Sequence, residues 1–290
     1  KLDAVTLGIS GTVQNGATLS IFNGLTLNAN LTVGTGSSST QVKFEGSQSL
    51  LGAGQLILHT TSTLENTRVY ANGTSGNPAT LTIGPDITVR GRGELRSTYG
   101  DIRNEGTIRS DVASRTLKVM APMTNEGTLD STAGTLSITS STWVNTGLVR
   151  ASGGTTTLGG TWSGVGSFAV SSGTLNLGGT FDPTVFGAFT RTGGTVNLTG
   201  TVNNTGRTLT LDTNTGSWNL HGVTVLGGTV TGSSALNVTH PGSTTVSTLD
   251  GVALSTGMTI QPGATLVVKN GLTLDSTLSV GPTGTSVTYL

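Results

Sequence analysis

Apolar and polar positions alternate in short runs along this 290-residue chain, and the runs recur on a beat of about twenty residues. Gly134, Gly154, Gly173 and Gly194 each open a Gly-Thr-x-x-apolar run, at intervals of 20, 19 and 21. Two positions on stand Leu136, Thr156, Leu175 and Val196, and two beyond those Ile138, Leu158, Leu177 and Leu198. A period of two marks a strand with one buried face. Trp143, Trp162, Phe181 and Val202 follow at spacings of 19, 19 and 21, which would lay large side chains over one another on successive repeats. The same beat carries a polar phrase: Asn104-Glu105-Gly106-Thr107-Ile108, Asn125-Glu126-Gly127-Thr128-Leu129 and Asn145-Thr146-Gly147-Leu148-Val149.

A repeat of this length suits one turn of a coiled β-chain and is too short for a propeller blade or a pair of helices. One such turn cannot bury its inward face alone, whereas a pile of turns makes a continuous core. The pattern therefore predicts an all-β parallel β-helix (β-solenoid) with roughly 20 residues per turn. At about 4.8 Å per turn this gives about 14 turns and a rod about 65–70 Å long. Ile138, Leu158, Leu177, Leu198, Trp143, Trp162 and Phe181 are its expected core ladder. An outward-facing aromatic stack would instead offer a platform for sugars, but the even spacing fits core packing better. Trp218 falls outside the series.

A longer match links the ends. Residues 3–34 align without a gap onto 250–281, an offset of 247, with 17 of 32 positions identical. Twelve turns of about 21 residues each would span that offset and return the chain to the same rotational phase. The match suggests one period of a tandem array or a protomer stacking head to tail. Residues 71–79 read as a turn-rich loop and 181–189 as a lateral excursion. No linker divides the chain, so 1–290 is read as a single continuous solenoid.

Composition agrees. Gly (45) and Thr (57) exceed a third of the chain, strong helix formers are scarce, and charged residues make up only 10%. No apolar run approaches the length of a membrane helix. Six Phe, three Trp and three Tyr are too few for the girdles of a transmembrane barrel. Neither an initiator Met nor a signal peptide is visible, so Lys1 reads as a processed or excised start. Zero cysteines removes disulfide and thiol chemistry, and zero net charge gives a nucleic-acid role no electrostatic support.

Charge is concentrated between Asp86 and Asp130, which hold 14 of the 28 charged side chains, seven of each sign. Arg90, Arg92, Arg96, Asp101, Arg103, Glu105 and Arg109 form a candidate polar recognition face for an acidic extracellular polysaccharide. The alternative is a set of cross-turn ion pairs, with Glu105 near Glu126 and Arg103 and Arg109 compensating. Asp101 with Glu105, and Glu126 with Asp130, are the close acidic pairs that a glycoside hydrolase would need. Both sit in the repeated phrase, where turn geometry accounts for them, so no enzyme activity is expected.

No cofactor or metal is expected either. His59, His221 and His240 stand apart, without ligand spacing. The calcium nonapeptide is absent, and Gly91-Arg92-Gly93-Glu94 lacks the rest of a phosphate loop. Asn30, Asn72, Asn197, Asn203 and Asn237 begin N-x-Thr acceptors, a match that a Thr-rich chain produces by chance. Ice-binding solenoids align Thr-x-Thr on successive turns. Here only Thr208-Leu209-Thr210 and Thr229-Val230-Thr231 are one turn apart, while Thr80-Leu81-Thr82 stands alone.

The phrases Leu249-Asp250-Gly251-Val252-Ala253-Leu254, Gly263-Ala264-Thr265-Leu266, Asn270-Gly271-Leu272-Thr273-Leu274 and Ala79-Thr80-Leu81-Thr82-Ile83-Gly84-Pro85-Asp86, followed by Asn104-Glu105-Gly106-Thr107-Ile108, resemble the repeats of large secreted bacterial proteins, the autotransporter passengers and filamentous-haemagglutinin-like adhesins. The resemblance implies a right-handed coil, a secreted or cell-surface location, and service as a stalk, adhesin or fibre. No catalytic motif carries over. Neither terminus shows a polar cap, so the solenoid ends are expected to meet copies of the chain or adjoining repeats. The expected function is a structural or adhesive β-solenoid in a surface fibre. The alternatives are a carbohydrate-binding or polysaccharide-processing β-helix and, more remotely, an ice-binding solenoid.

Overall fold

A computed structural model describes residues 1–240, 242 and 245–281. The described residues hold 34 strands in one sheet in which the ladder partners of successive turns run parallel, wound into a solenoid of about thirteen turns. Each turn contributes one strand segment to each of three walls, here A, B and C. In the middle of the rod Thr155–Leu158 lies on wall A, Thr161–Ser163 on wall B and Gly166–Val170 on wall C. At about 4.8 Å per turn the rod is about 62 Å long.

The expected core ladder is an interior column of wall A. Ile138 pairs with Leu158, Leu158 with Leu177, and Leu177 with Leu198, and all four are buried. The column continues both ways, from Leu19 through Val42, Val69, Leu95 and Val119, and onward through Leu220, Val238 and Ile260 to Val280. Twelve steps carry it from Leu19 to Val280, so the mean turn is about 22 residues, slightly longer than the beat predicts. The early turns are the long ones: the step from Val42 to Val69 is about a third longer than that from Ile138 to Leu158.

Thr156 interrupts the neighbouring apolar column between Leu136 and Leu175. It is buried, and its hydroxyl is satisfied by the Ser131 hydroxyl at 2.9 Å and the Arg150 carbonyl at 3.0 Å.

On wall B, Trp143, Trp162 and Phe181 point inward and stack, with ring centroids 5.6 and 4.5 Å apart. Each indole N–H is satisfied by a carbonyl of the following corner, Trp143 by Gly159 and Trp162 by Gly178, both at 2.9 Å. Trp218 is also interior. It joins this stack through Phe186, whose centroid lies 5.4 Å from that of Trp218 and 5.6 Å from that of Phe181.

The repeated polar phrase builds a corner. Asn104, Asn125 and Asn145 stack in register inside the coil, almost fully buried. Asn104 Nδ2 donates to Asn125 Oδ1, and Asn125 Nδ2 to Asn145 Oδ1, each at 2.7 Å. A ladder of three amides leaves one acceptor free at its start and one donor free at its end, and Asn104 Oδ1 and Asn145 Nδ2 are the atoms without partners. The glycines of the phrase allow the turns to approach: a Cβ on Gly127 would collide with the Gly106 carbonyl oxygen, and one on Gly147 with that of Gly127.

The matched ends fold alike. Thr18–Leu27 and Thr265–Leu274 are both ten-residue strands bent at Asn-Gly, with φ 56° at Asn23 and 52° at Asn270. Asn23 donates to Asp3 at 2.7 Å, and Asn270 to Asp250 at 2.6 Å. Yet Leu19 heads the wall A column, whereas its counterpart Leu266 lies on the wall B ladder. Because the mean turn is longer than a twelfth of the offset, the match reaches one wall past eleven turns instead of completing twelve. The expectation of equal rotational phase is corrected to a difference of a third of a turn.

Candidate functional site

The charged candidates fall on all three walls. Arg90 and Arg109 share an outward column of wall C that continues to Asp130 and Arg150. Arg90 binds Asp111 at 2.8 Å and donates to Gln55 at 2.7 Å. Asp130 is fully buried, although its position faces outward. Arg150 closes on it at 2.7 Å from one side and Arg109 at 3.4 Å from the other, and the Ser152 hydroxyl donates at 2.8 Å. The hydrogen bond to Asp130 holds the Arg150 guanidinium above its ordinary range against the opposing effect of burial.

Arg92 is buried at the corner between walls C and A, bound to Glu65 at 3.0 Å and to the Ser62 carbonyl. Arg96 lies on wall A, where Glu94 accepts from it at 3.0 Å and from Arg68 at 2.9 Å. Asp101, Arg103 and Glu105 belong to wall B and its corner. Arg103 bridges Glu105 at 2.9 Å and Glu126 at 2.8 Å, while Asp101 is exposed beside it.

A single recognition face containing all seven residues is therefore not formed. Arg90 and Arg109 are register partners one turn apart, so residues spread between them must go once around the coil. Only Asp101, Arg103 and the adjacent Glu126 share a depression, a shallow one of about 460 Å³ on wall B. Glu105 and Glu126 are bridged through Arg103 as expected, but Arg109 turns to Asp130 instead.

Two polar arrays lie outside the Thr-x-Thr pattern. On wall A, Thr116, Thr135, Thr155, Thr174 and Thr195 stack in register. Beside them Ser137, Thr157, Asn176, Asn197, Asn219, Asn237, Thr259 and Ser279 keep one outward column free of charge over eight turns. Its amides form a surface ladder: Asn176 donates to Thr157 at 3.1 Å, and Asn197 to Asn176 and Asn219 to Asn197 at 2.9 Å. Wall B carries Thr142, Thr161, Thr180, Thr201, Thr224 and Thr248 in one column. Four of the wall A threonines, Thr135, Thr155, Thr174 and Thr195, are visible in the Gly-Thr beat, one position after each glycine, whereas Thr116 follows Arg115.

One cleft is set apart by its construction. Phe186–Arg191 on wall C pairs with Gly166–Val170 through a bulge: Gly166 faces Phe186 but Phe168 faces Phe189, so the later strand carries an extra residue. On its other side it makes no ladder with Thr208–Leu211, although that strand pairs normally with Thr229–Gly232. Among the described residues, no other pair of successive strands on any wall lacks its ladder.

The gap opens a cleft of about 560 Å³ floored by the half-buried Phe186 ring, with the buried Phe189 and Trp218 packed beneath it. Thr190, Thr208 and Thr210 stand exposed on its lips, with Asp212 and Asn214 at one end. The 212–217 loop is held in place. Asp212 accepts from the Asn214 and Thr215 amides at 2.8 and 3.0 Å, the Arg191 amide donates to the Asn214 carbonyl at 2.8 Å, and the Arg191 guanidinium binds the Ser217 and Gly194 carbonyls. The Thr215 amide leads the groups that lower the pKa of the Asp212 carboxyl.

The histidines stay apart. His221 meets the Thr239 hydroxyl at 2.9 Å, and partial burial lowers its pKa. Among the described residues no three His, Cys, Asp or Glu side chains gather in a way that could hold a metal ion.

No protein-family model, no curated protein and no solved structure matches the chain. The resemblance to secreted bacterial repeat proteins therefore stands on its strand-and-turn phrases alone, and the solenoid on its parallel ladders.

Proposed function

We propose that this chain is a non-catalytic structural and adhesive element of a fibre or stalk on a cell surface, joined along its axis to copies of itself or to further repeats. The observation that carries this reading is the axial direction of the bonding. Parallel ladders on three walls, a buried asparagine ladder and an aromatic stack all link one turn to the next. A molecule bonded this way resists stretching and bending, and adding turns lengthens it without changing its core. Repetition of one arch at both ends supports continuation. In an array built on the 247-residue period each copy is advanced by a third of a turn, so a feature of one wall moves to the next wall per period and returns after three.

Electron microscopy of the purified protein tests the reading. Filaments many times longer than the single rod of about 62 Å are expected, and uniform single rods would contradict axial assembly.

A second reading, ice binding, rests on the charge-free wall A column, which repeats at the rung spacing over eight turns. Thermal hysteresis in dilute solution would support it, and ordinary freezing would remove it.

A further inference from the structure

We propose that the cleft between Phe186–Arg191 and Thr208–Leu211 is a binding site for a neutral sugar, a short stretch of an uncharged glycan. This goes beyond the fibre reading, because the cleft would bind its ligand whether or not rods join end to end.

The bulge places Phe186 among five other rings, including Phe168, Phe189 and Trp218, and gives up one wall's pairing to do so. Bulges re-aim side chains or end pairing, and they are over-represented beside active sites as well as at sheet edges and barrel rims. The floor is held by this ring cluster and the end loop by Arg191 and Asp212, so the cleft is formed before any ligand arrives. Its volume falls within the range of small-ligand pockets, about 300–1,000 Å³.

The lining chooses the chemistry. Its only ionisable side chain is Asp212, and neither Lys nor Arg contributes, so phosphate, sulfate and uronate ligands meet a carboxylate with no counter-charge. A wholly apolar ligand would desolvate the hydroxyls of Thr190, Thr208 and Thr210 without replacing their hydrogen bonds. A sugar ring has a C–H face for the partly exposed Phe186 ring and an edge of hydroxyls for the threonines, Asn214 and Asp212. An extended peptide added to the free strand edge is the competing occupant. That edge is already closed at Arg191, whose amide is taken by Asn214, leaving a short run for a strand to grip.

Saturation-transfer NMR with the whole chain tests the assignment. The probes are maltotriose, cellotriose and mannotriose, with trigalacturonate and an alternating Thr-Val octapeptide as competitors. At least one neutral trisaccharide is expected to bind at millimolar concentration. Thr210→Lys, which drives a long side chain across the lip, should weaken binding by about tenfold or more, and Thr161→Lys on wall B should leave it unchanged. Thr190→Lys on the opposite lip repeats the test should the first variant fold poorly. Silence from all three neutral sugars, equal binding by the lip variants, or a stronger response to trigalacturonate or the peptide would overturn the proposal.

Discussion

Two stretches of the solenoid solve the same stacking problem differently. Between Val119 and Leu198 each turn takes about 20 residues, and like residues stand on like: Thr on Thr, Trp on Trp, Asn on Asn. Between Val42 and Val119 the turns are longer, about 26 residues each, and three charged pairs cross from turn to turn. Constant turn length lets one side chain meet its own kind, which suits rings, hydroxyls and amides, because each can both give and accept contact. Like charges cannot be stacked this way. Where Arg90 does stand over Arg109, Asp111 and Asp130 are drawn in to compensate. The longer turns also supply Glu65, the corner residue that meets the buried Arg92.

The contrast can be broken in four places. Trp162→Ala removes the ring between Trp143 and Phe181 and leaves a cavity in the regular stretch. A loss of about 3–5 kcal/mol is expected in denaturant unfolding. Asp130→Ala should cost about 2–3 kcal/mol, because Arg109 and Arg150 then face each other across an empty carboxylate site, softened by the partial exposure of both guanidiniums.

Asn125→Ala should cost about 2 kcal/mol, since it strands the Asn104 donor and the Asn145 acceptor in the interior. Replacing all three asparagines by Leu should destabilise less than the single change, because no half-satisfied amide is left. A larger loss in the triple variant would show that the ladder contributes by packing rather than by satisfying its own atoms. Arg103→Ala should cost about 0.5 kcal/mol, shrinking in high salt, since its bridge to Glu105 and Glu126 is half exposed. A salt-independent loss of several kcal/mol would place this arginine with the buried pairs of the same stretch.

The same contrast explains what could be read in the chain beforehand. The column Ile138, Leu158, Leu177 and Leu198 was legible because its period is constant, and the inward Trp143, Trp162 and Phe181 followed from it. Trp218 escaped because it belongs to wall A, one position before Asn219, and not to the wall B series. Its turn, from Leu198 to Leu220, is also longer than the three before it and contains the 212–217 loop, which shifts the tryptophan off the beat. The charged candidates were legible as a cluster in sequence but not as a surface, since a window one turn long must wrap the rod. The phase of the end repeat is hidden in the sequence for a related reason: long early turns raise the mean, and a small difference per turn accumulates along the rod. The cleft had one visible trace, the Phe181–Phe189 stretch that reads as an excursion. Its cause, a bulge that ends pairing on one side only, depends on register between turns and has no signature within a single one.

The central claim is that residues one turn apart lie side by side along the rod axis. The chain has no cysteine, so two can be introduced and labelled cleanly with nitroxides. Labels replacing Thr157 and Asn176, outward partners on adjacent rungs of wall A, are predicted to lie on neighbouring strands about 5 Å apart and to show strong spin-exchange broadening. Labels at Thr157 and Ala169, closer in sequence but on walls A and C, should show none. Sharp spectra from the first pair, or equal broadening from both, would contradict the stacked coil.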